Sequence, residues 1–311
     1  MNTPITIRKL ISEENCYETL RQLRWPEGVR CPFCGSVEVN RRGYDDVHRS
    51  CRRDQCKGGG RRFDDLSETV LAGHHQPLSG WIVCLYFMGL NLSNRQIAQE
   101  LDLHDDDVQV MTTVLRAGVD KKSPELLQGE VECDEVYLVA GHKGPPEAVQ
   151  GQGRWGRRRR LKGARGRGTL AKDKPPVVGM IARGGAVVIR MLANVQQATI
   201  APLIRSTIAR GTTVYTDEYD LYSRLPDWGY TRKSVNHSHG EYARDEDGDG
   251  FCEVHVNTIE GFWSLLRSWL RPHRGISQEK LPLYLSFFEC VHNARVRGKH
   301  LLPALLGVLV A

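Results

Sequence analysis

Three acidic residues lie in sequence contexts that could bring their carboxylates together. Asp134 falls in an apolar, strand-like run at residues 131–137, Asp217 ends a second such run, and Glu260 lies on a predicted helix. Phosphoryl transfer is commonly catalysed by two divalent metal ions that stabilise the attacking and the leaving oxygens. Mg²⁺ and Mn²⁺ prefer oxygen ligands, and Mg²⁺ retains several waters, so a few carboxylates suffice. The trio therefore predicts a two-metal site for phosphoryl transfer.

The predicted helix that carries Glu260 offers two further candidates. Asn257 lies three residues earlier, so both side chains can face one metal ion, and Asn257 would supply a neutral oxygen ligand. The same spacing fits a capping box, in which Asn257 caps the helix and Glu260 has a structural role only. Arg267 follows Glu260 by seven residues and is nearly in line with it, where a base can hold a phosphate beside a metal ion. Read alone, the tetrapeptide leaves catalysis and capping open.

Nine cysteines occur in the chain, and four of them cluster near the N-terminus. Cys31 and Cys34 form one close pair, and Cys51 and Cys56, with four residues between them, form a wider one. Paired thiolates at such spacing predict a structural Zn²⁺ site with four cysteine ligands, close to a zinc ribbon. The second pair is two residues wider than usual, so His48 is a possible substitute ligand.

The formal net charge is +6, and much of the basic character is concentrated in residues 154–167, a stretch without acids. Such a run is typical of a segment that binds a polyanion, although a solvated loop without a partner has the same composition. The basic residues that we expect to contact DNA are Arg154, Arg157, Arg158, Arg159, Arg160 and Lys162.

Some protein classes are disfavoured by composition. No run of about 20 apolar residues predicts a membrane span, and the N-terminus lacks the apolar core of a secretory signal. The scattered remaining cysteines suit a reducing compartment better than a disulfide framework. We therefore expect a cytoplasmic protein that acts at the nucleoid.

Residue periodicity predicts helices first and a sheet later. Helical spacing marks an N-terminal segment up to about residue 30, and then segments 78–88, 92–101 and 108–119. The last two resemble a helix-turn-helix, although a plain helical connector has the same outline. Strands are predicted at 131–139, 176–182, 186–192 and 213–217, and helices at 199–210, 257–270 and 279–293.

This order predicts an α+β multidomain protein in which the later elements form a ribonuclease H-like core with a mixed sheet. We expect an N-terminal helix and zinc ribbon at residues 1–65, and a helical DNA-binding domain at 66–128. The ribonuclease H-like domain, with the C-terminal helices, is expected at residues 129–311.

Four motifs, at residues 24–35, 131–135, 215–219 and 255–267, resemble those of bacterial insertion-sequence transposases of the zinc-ribbon DDE class. The resemblance implies that Asp134 and Asp217 are the first two catalytic acids and that Glu260 or Asn257 is the third. It also implies two Mg²⁺ or Mn²⁺ ions, a structural Zn²⁺, binding of double-stranded DNA at terminal inverted repeats, metal-dependent cleavage, and strand transfer. The chain departs from the pattern in its wide second cysteine pair and in having Arg, not Lys, at position 267. We further expect a homo-oligomer on DNA.

Two alternatives remain at this point. A non-catalytic zinc-ribbon regulator derived from a transposase would bind terminal repeats without nicking them, and the intact acids argue against it. A related nuclease would cut but not join DNA, and a joining assay with pre-cut ends distinguishes it.

Overall fold

A computed structural model describes residues 12–121, 125–140, 174–273, 275–298 and 300–310. The chain divides into two compact units, one comprising Met1–Lys122 with Arg297–Ala311 and the other Ser123–Val296. The C-terminal helix thus belongs to the first unit, whereas the sequence grouped it with residues 129–311. The basic segment expected to contact DNA lies outside the described residues. Across the described ranges, no helix has the length and apolar character needed to cross a membrane.

The first unit begins with helix α1, Glu13–Arg24, which is capped where the Ser12 side chain accepts a hydrogen bond from the Asn15 amide. A three-stranded antiparallel sheet follows, with strand order β1-β2-β3. Its strands are β1 (Val39–Tyr44), β2 (Arg52–Cys56) and β3 (Arg62–Asp64). The short strands bury only a small core. Apolar burial alone therefore does not stabilise this region, and a region of this size usually needs a further cross-link such as a metal site.

Helices make up the rest of the first unit: α2 (Leu78–Gly89), α3 (Asn94–Leu101), α4 (Asp105–Asp120) and the C-terminal helix Leu301–Val310. A serine caps α3: Ser93 and Gln96 form a capping box. The C-terminal helix packs against α2 and α4, where glycines allow close approach. A Cβ atom at Gly118 would lie 2.7 Å from Leu309 Cδ2.

The second unit contains a five-stranded mixed sheet with strand order β6-β5-β4-β7-β8. The strands are β4 (Glu130–Tyr137), β5 (Pro176–Ala182), β6 (Val187–Met191), β7 (Thr213–Thr216) and β8 (Thr231–Ser234). Strands β6, β5 and β4 are antiparallel neighbours, and β7 and β8 continue the sheet in parallel with β4. This topology agrees with the predicted ribonuclease H-like core.

Helix α5, Gln197–Thr207, connects β6 to β7 and packs on one face of the sheet. Its Ile200 and Ile204 share a core with Cys133 of β4. Side chains alternate along a strand, so Glu132 and Asp134 point to the opposite face. That face receives helix α6, Asn257–Leu270. The sheet thus separates an apolar core on one side from the candidate acids on the other.

Helix α7, Leu281–Val296, covers the outer edge of β6. Asn293 accepts a hydrogen bond from the Val187 amide at 2.8 Å and donates one to the Val187 carbonyl at 2.9 Å. Glu289 accepts from the Ile189 amide at 2.9 Å. An exposed strand edge is a template for aggregation, and these side chains satisfy part of it.

Two local expectations were wrong. Helix α5 ends at Thr207, not at 210, because Ile208 adopts an extended conformation and bridges to Leu127. Strand β8 was not predicted, because its residues Thr-Arg-Lys-Ser lack alternation of apolar and polar side chains. Its pairing with β7 stabilises it in the sheet.

Candidate active site and metal centre

Two of the predicted acids lie on neighbouring parallel strands. Strand β4 pairs with β7 so that Val131 is opposite Val214 and Glu132 is opposite Tyr215. Continuing this register by two residues brings Asp134 level with Asp217, which directly follows β7. Adjacent strands are about 4.8 Å apart, and residues level with each other in a parallel sheet share a face. The backbone therefore directs both carboxylates to one region at the edge of the sheet.

Helix α6 contacts this region through an indole. The Trp263 Nε1 group donates a hydrogen bond of 2.8 Å to Asp134 Oδ2. The ring reaches it by passing over Gly179 of β5, which is paired with Asp134. A Cβ atom at Gly179 would lie 2.6 Å from Trp263 Cζ2 and 2.9 Å from Ile259 Cδ1. The absence of a side chain at Gly179 thus allows α6 to pack closely against β4 and β5.

The start of α6 is fixed by Glu132, which is fully buried. Its carboxylate accepts hydrogen bonds from the Ile259 amide at 3.0 Å and from the Thr258 hydroxyl at 2.9 Å. Arg183 Nε donates to the same carboxylate at 2.9 Å, which compensates the buried charge. A negative charge is also favourable at a helix N-terminus. Glu132 is thus a strand residue that caps the helix carrying Glu260.

The capping-box interpretation of Asn257 and Glu260 is wrong. The N-cap residue of α6 is Val256, which makes no side-chain cap hydrogen bond, and Asn257 is already the first helical residue. In a capping box Glu260 would accept from the Asn257 amide, but that amide donates to His255 Nδ1 at 3.3 Å, so capping does not occupy the Glu260 side chain. Asn257 and Glu260 are both exposed. The structure therefore does not support a capping role for Asn257 and Glu260.

The pKa of Asp134 is raised from its ordinary value of 3.8 to about 6. Burial of the carboxyl is the main cause, and the hydrogen bond from Trp263 opposes it. The negative charges of Asp217 and Glu260 raise the pKa further, which means that both carboxylates lie within electrostatic range of Asp134. A cluster of like charges with a perturbed pKa is typical of a functional site, and a bound cation would relieve the repulsion.

Arg267 is exposed two turns beyond Glu260, about 10 Å along the continuous helix. With Arg271, Leu138 and His273 it lines a cleft of about 490 Å³. The two guanidinium groups give this cleft a positive lining, and none of the three candidate acids lines it. The positive charge of this cleft suits an anionic ligand, such as the phosphate groups of a nucleic acid, better than a metal ion.

In the zinc ribbon, three of the four predicted ligands converge. The Sγ atoms of Cys31, Cys34 and Cys56 all lie within 4.8 Å of one another, and those of Cys34 and Cys56 are 3.6 Å apart. Two thiolates about 2.3 Å from a tetrahedral Zn²⁺ would be about 3.8 Å apart, so the observed spacing suits that ion. The zinc-ribbon region therefore holds a three-cysteine cluster that fits structural Zn²⁺.

Cys51 is not part of this cluster, and the prediction of a fourth ligand there is wrong. Cys51 directly precedes β2 and Cys56 ends it, so an extended strand of about 16 Å separates them. The buried Cys51 thiol lies near Asp64 and Asp65, and burial raises its pKa to about 12. His48 does not join the three cysteines either, within the range that the structure describes.

A second acidic group lies in the turn at residues 245–249, where three carboxylate oxygens approach within 4.8 Å. Backbone amides of the turn already bind Asp245: Gly248 donates at 2.6 Å and Gly250 at 2.9 Å. A calcium loop would need a bidentate Glu at its twelfth position, which is Val256 here. The hydrogen bonding of the turn accounts for this cluster.

Sequence reasoning missed three residues that shape the site: Glu132, Gly179 and Trp263. A glycine inside an apolar strand is a known signal of close backbone approach, so Gly179 was detectable. Trp263 lies inside the motif at 255–267, but nothing in the sequence identifies its partner. Glu132 is on the same strand face as Asp134, and only its burial distinguishes a structural from a metal-binding carboxylate.

Comparison with known proteins gives concordant matches to both units. Residues 126–290 match the ISXO2-like transposase domain, and residues 11–58 match the transposase zinc-ribbon domain. The chain is 36% identical over 304 residues to an "uncharacterized protein in transposable element ISH50" of Halobacterium salinarum, which covers 96% of this chain and 98% of the relative. It is also 32% identical over 114 residues to an "uncharacterized transposase-like protein" of Haemophilus influenzae, with 35% of this chain and 83% of that protein covered.

Proposed function

The chain belongs to the ISXO2-like transposase family, and we propose that it is a DNA transposase that binds terminal inverted repeats and catalyses metal-dependent strand cleavage and strand transfer. The observation that carries the proposal is the parallel register that brings Asp134 level with Asp217. The electrostatic effect of Glu260 on Asp134 adds the third carboxylate, from α6. The partner in this proposal is double-stranded DNA, bound by a homo-oligomer in the cytoplasm.

The donor set suits hard divalent cations. Asp134, Asp217 and Glu260 offer carboxylate oxygens, which Mg²⁺ and Mn²⁺ prefer to thiolate or imidazole ligands. When bound, two such ions would polarise the phosphate and stabilise both the attacking and the leaving oxygens. The Trp263 hydrogen bond fixes the orientation of the Asp134 carboxylate, which faces the charges of Asp217 and Glu260.

Strand cleavage in this proposal is hydrolysis of a phosphodiester at the element's end. A water oxygen bonds to phosphorus as the bond to the 3′ oxygen breaks, which leaves a free 3′-hydroxyl and a 5′-phosphate. In strand transfer, that hydroxyl attacks a target phosphodiester, and one P–O bond replaces another without an oxidant or a nucleotide cofactor. The three carboxylates position the reacting groups, and Arg267 binds a neighbouring phosphate.

The third ligand in the proposal is Glu260 in preference to Asn257. Glu260 raises the pKa of Asp134 through its charge, which requires proximity to the site. It is also three residues from Trp263, one helical turn away, and Trp263 contacts Asp134 directly. Asn257 is exposed at the first position of α6 and lies a further turn from Trp263.

Substitution of each strand acid tests the proposal. We expect Asp134→Ala and Asp217→Ala to abolish Mg²⁺-dependent cleavage of terminal-repeat DNA while binding to that DNA persists. Asp227→Ala is a matched control, because Asp227 is an exposed acid of the same unit that pairs with Arg224. Full cleavage by either site variant would refute the assignment.

The alternatives predict other outcomes in the same experiments. A non-catalytic regulator would bind terminal repeats, but the unmodified protein would show no metal-dependent nicking. A nuclease without strand transfer would nick DNA yet fail to join pre-cut ends to a target.

A further inference from the structure

The zinc ribbon contains two turns of the same construction. In the first knuckle, residues 31–35, the Gly35 amide donates to the Cys31 carbonyl at 2.8 Å, and Gly35 has a φ of +73°. In the second knuckle, residues 56–60, the Gly60 amide donates to the Cys56 carbonyl at 2.9 Å, and Gly60 has a φ of +66°. Cys56 therefore corresponds to Cys31 as the first residue of its turn.

This correspondence identifies the position that lacks a thiolate. Cys34 is the fourth residue of the first knuckle, and the fourth residue of the second knuckle is Gly59. The Gly59 amide hydrogen-bonds to the Cys56 thiolate, so this residue lies beside the cluster. A Cβ atom at Gly59 would meet nothing within 4 Å, and its φ lies outside the left-handed region.

Among the described residues, no His, Asp, Glu or further Cys completes the group of Cys31, Cys34 and Cys56. The open side of the cluster faces solvent, because Cys34 and residues 57–60 are exposed. Structural zinc is normally held by four protein ligands, whereas zinc with three keeps water in the fourth position. The spacing of the cysteines in the sequence suggested Cys51 as the fourth ligand. Within the part of the chain that the structure describes, Cys51 lies outside the cluster and the fourth ligand is missing.

We propose that the zinc centre of this chain is a three-thiolate site whose fourth coordination position, beside Gly59, holds an exchangeable solvent molecule. Small donors such as imidazole can replace that molecule. A cysteine introduced at position 59 closes the site. The proposal is independent of the catalytic assignment, because it concerns the other unit.

Cobalt substitution tests the coordination directly. The full chain, loaded with one equivalent of Co²⁺ in thiol-free buffer, absorbs through sulfur-to-cobalt charge transfer in proportion to the number of bound thiolates. We expect Gly59→Cys to raise this absorbance by about one third, since four thiolates replace three. Competition with a zinc chelator should show roughly 10- to 100-fold tighter binding by the same variant, the range typical of changes around a metal site.

Two further measurements do not depend on whether Gly59→Cys folds. Cys51→Ala should retain the full charge-transfer absorbance, and imidazole should shift the ligand-field bands of the unmodified cobalt protein. A loss of about one quarter of the absorbance in Cys51→Ala would make Cys51 the fourth ligand and overturn the proposal. Indifference of the cobalt spectrum to imidazole, or an unchanged absorbance in a folded Gly59→Cys variant, would also overturn it.

Discussion

Neutralising Asp134 should stabilise the metal-free protein while it abolishes activity. Asp134→Asn keeps the shape of the side chain and an oxygen that can accept the Trp263 hydrogen bond, so besides the charge it alters only the contact with the Glu135 backbone amide. A rise in pKa from 3.8 to about 6 corresponds to about 3 kcal/mol, at about 1.4 kcal/mol per pKa unit. This figure is an upper limit for the gain in the free energy of unfolding.

The gain depends on pH in a defined direction. Below about pH 4, Asp134 is protonated in both the folded and the unfolded protein, so Asp134→Asn gains nothing. Between pH 4 and 6 the unfolded chain ionises while the folded protein retains the proton, and the unmodified protein loses stability as the pH rises. Above pH 6 both states are ionised, and the advantage of Asp134→Asn reaches its full value.

Urea denaturation at a series of pH values from 4 to 8, followed by tryptophan fluorescence in Mg²⁺-free buffer without chelator, measures this difference. Zinc is present equally in both proteins, so its contribution cancels. Excess Mg²⁺ at pH 7.5 should then stabilise the unmodified protein more than Asp134→Asn, because the variant lacks one of the three carboxylates proposed to bind the ion. Asp227→Asn should follow the unmodified protein throughout. A variant that is destabilised at pH 8, or a difference that does not vary with pH, would refute the reasoning.

Other substitutions test the supports of the site. Glu132→Gln should lower the free energy of unfolding by about 2 kcal/mol, because it removes the charged acceptor 2.9 Å from the Arg183 Nε group and leaves the half-buried guanidinium with the longer ion pair to Glu130 at 3.7 Å; an unchanged urea midpoint would contradict the role of this carboxylate. Gly179→Ala should cost about 1–3 kcal/mol and alter the near-ultraviolet circular dichroism, because the new methyl group displaces the Trp263 ring; an unaltered spectrum would argue against that contact. Glu260→Gln should abolish DNA cleavage whereas Asn257→Ala retains it, and the reverse result would assign the third ligand to the amide.

The sequence by itself determined the elements around the acids. Helix α6 has the bounds that its apolar periodicity predicted, and strand β5 runs from Pro176 to Ala182 as expected. These features depend on the local spacing of apolar residues and on terminators such as Pro272, so they can be read along the chain. The succession along the chain of the four predicted strands, which include those leading to Asp134 and Asp217, followed from the same local patterns.

Only the tertiary structure decided which of the candidate groups meet. Cys51 and Cys56 are close in sequence but stand at opposite ends of an extended strand, whereas a turn brings Cys31 and Cys34 together. Likewise, the cap of α6 comes from Glu132, more than a hundred residues earlier. The capping box that the local sequence suggested for Asn257 and Glu260 is therefore not formed. Spacing along a chain converts to distance only when the backbone conformation between two residues is known. Contacts across the sheet depend on register and burial, which arise from the packing of the whole unit.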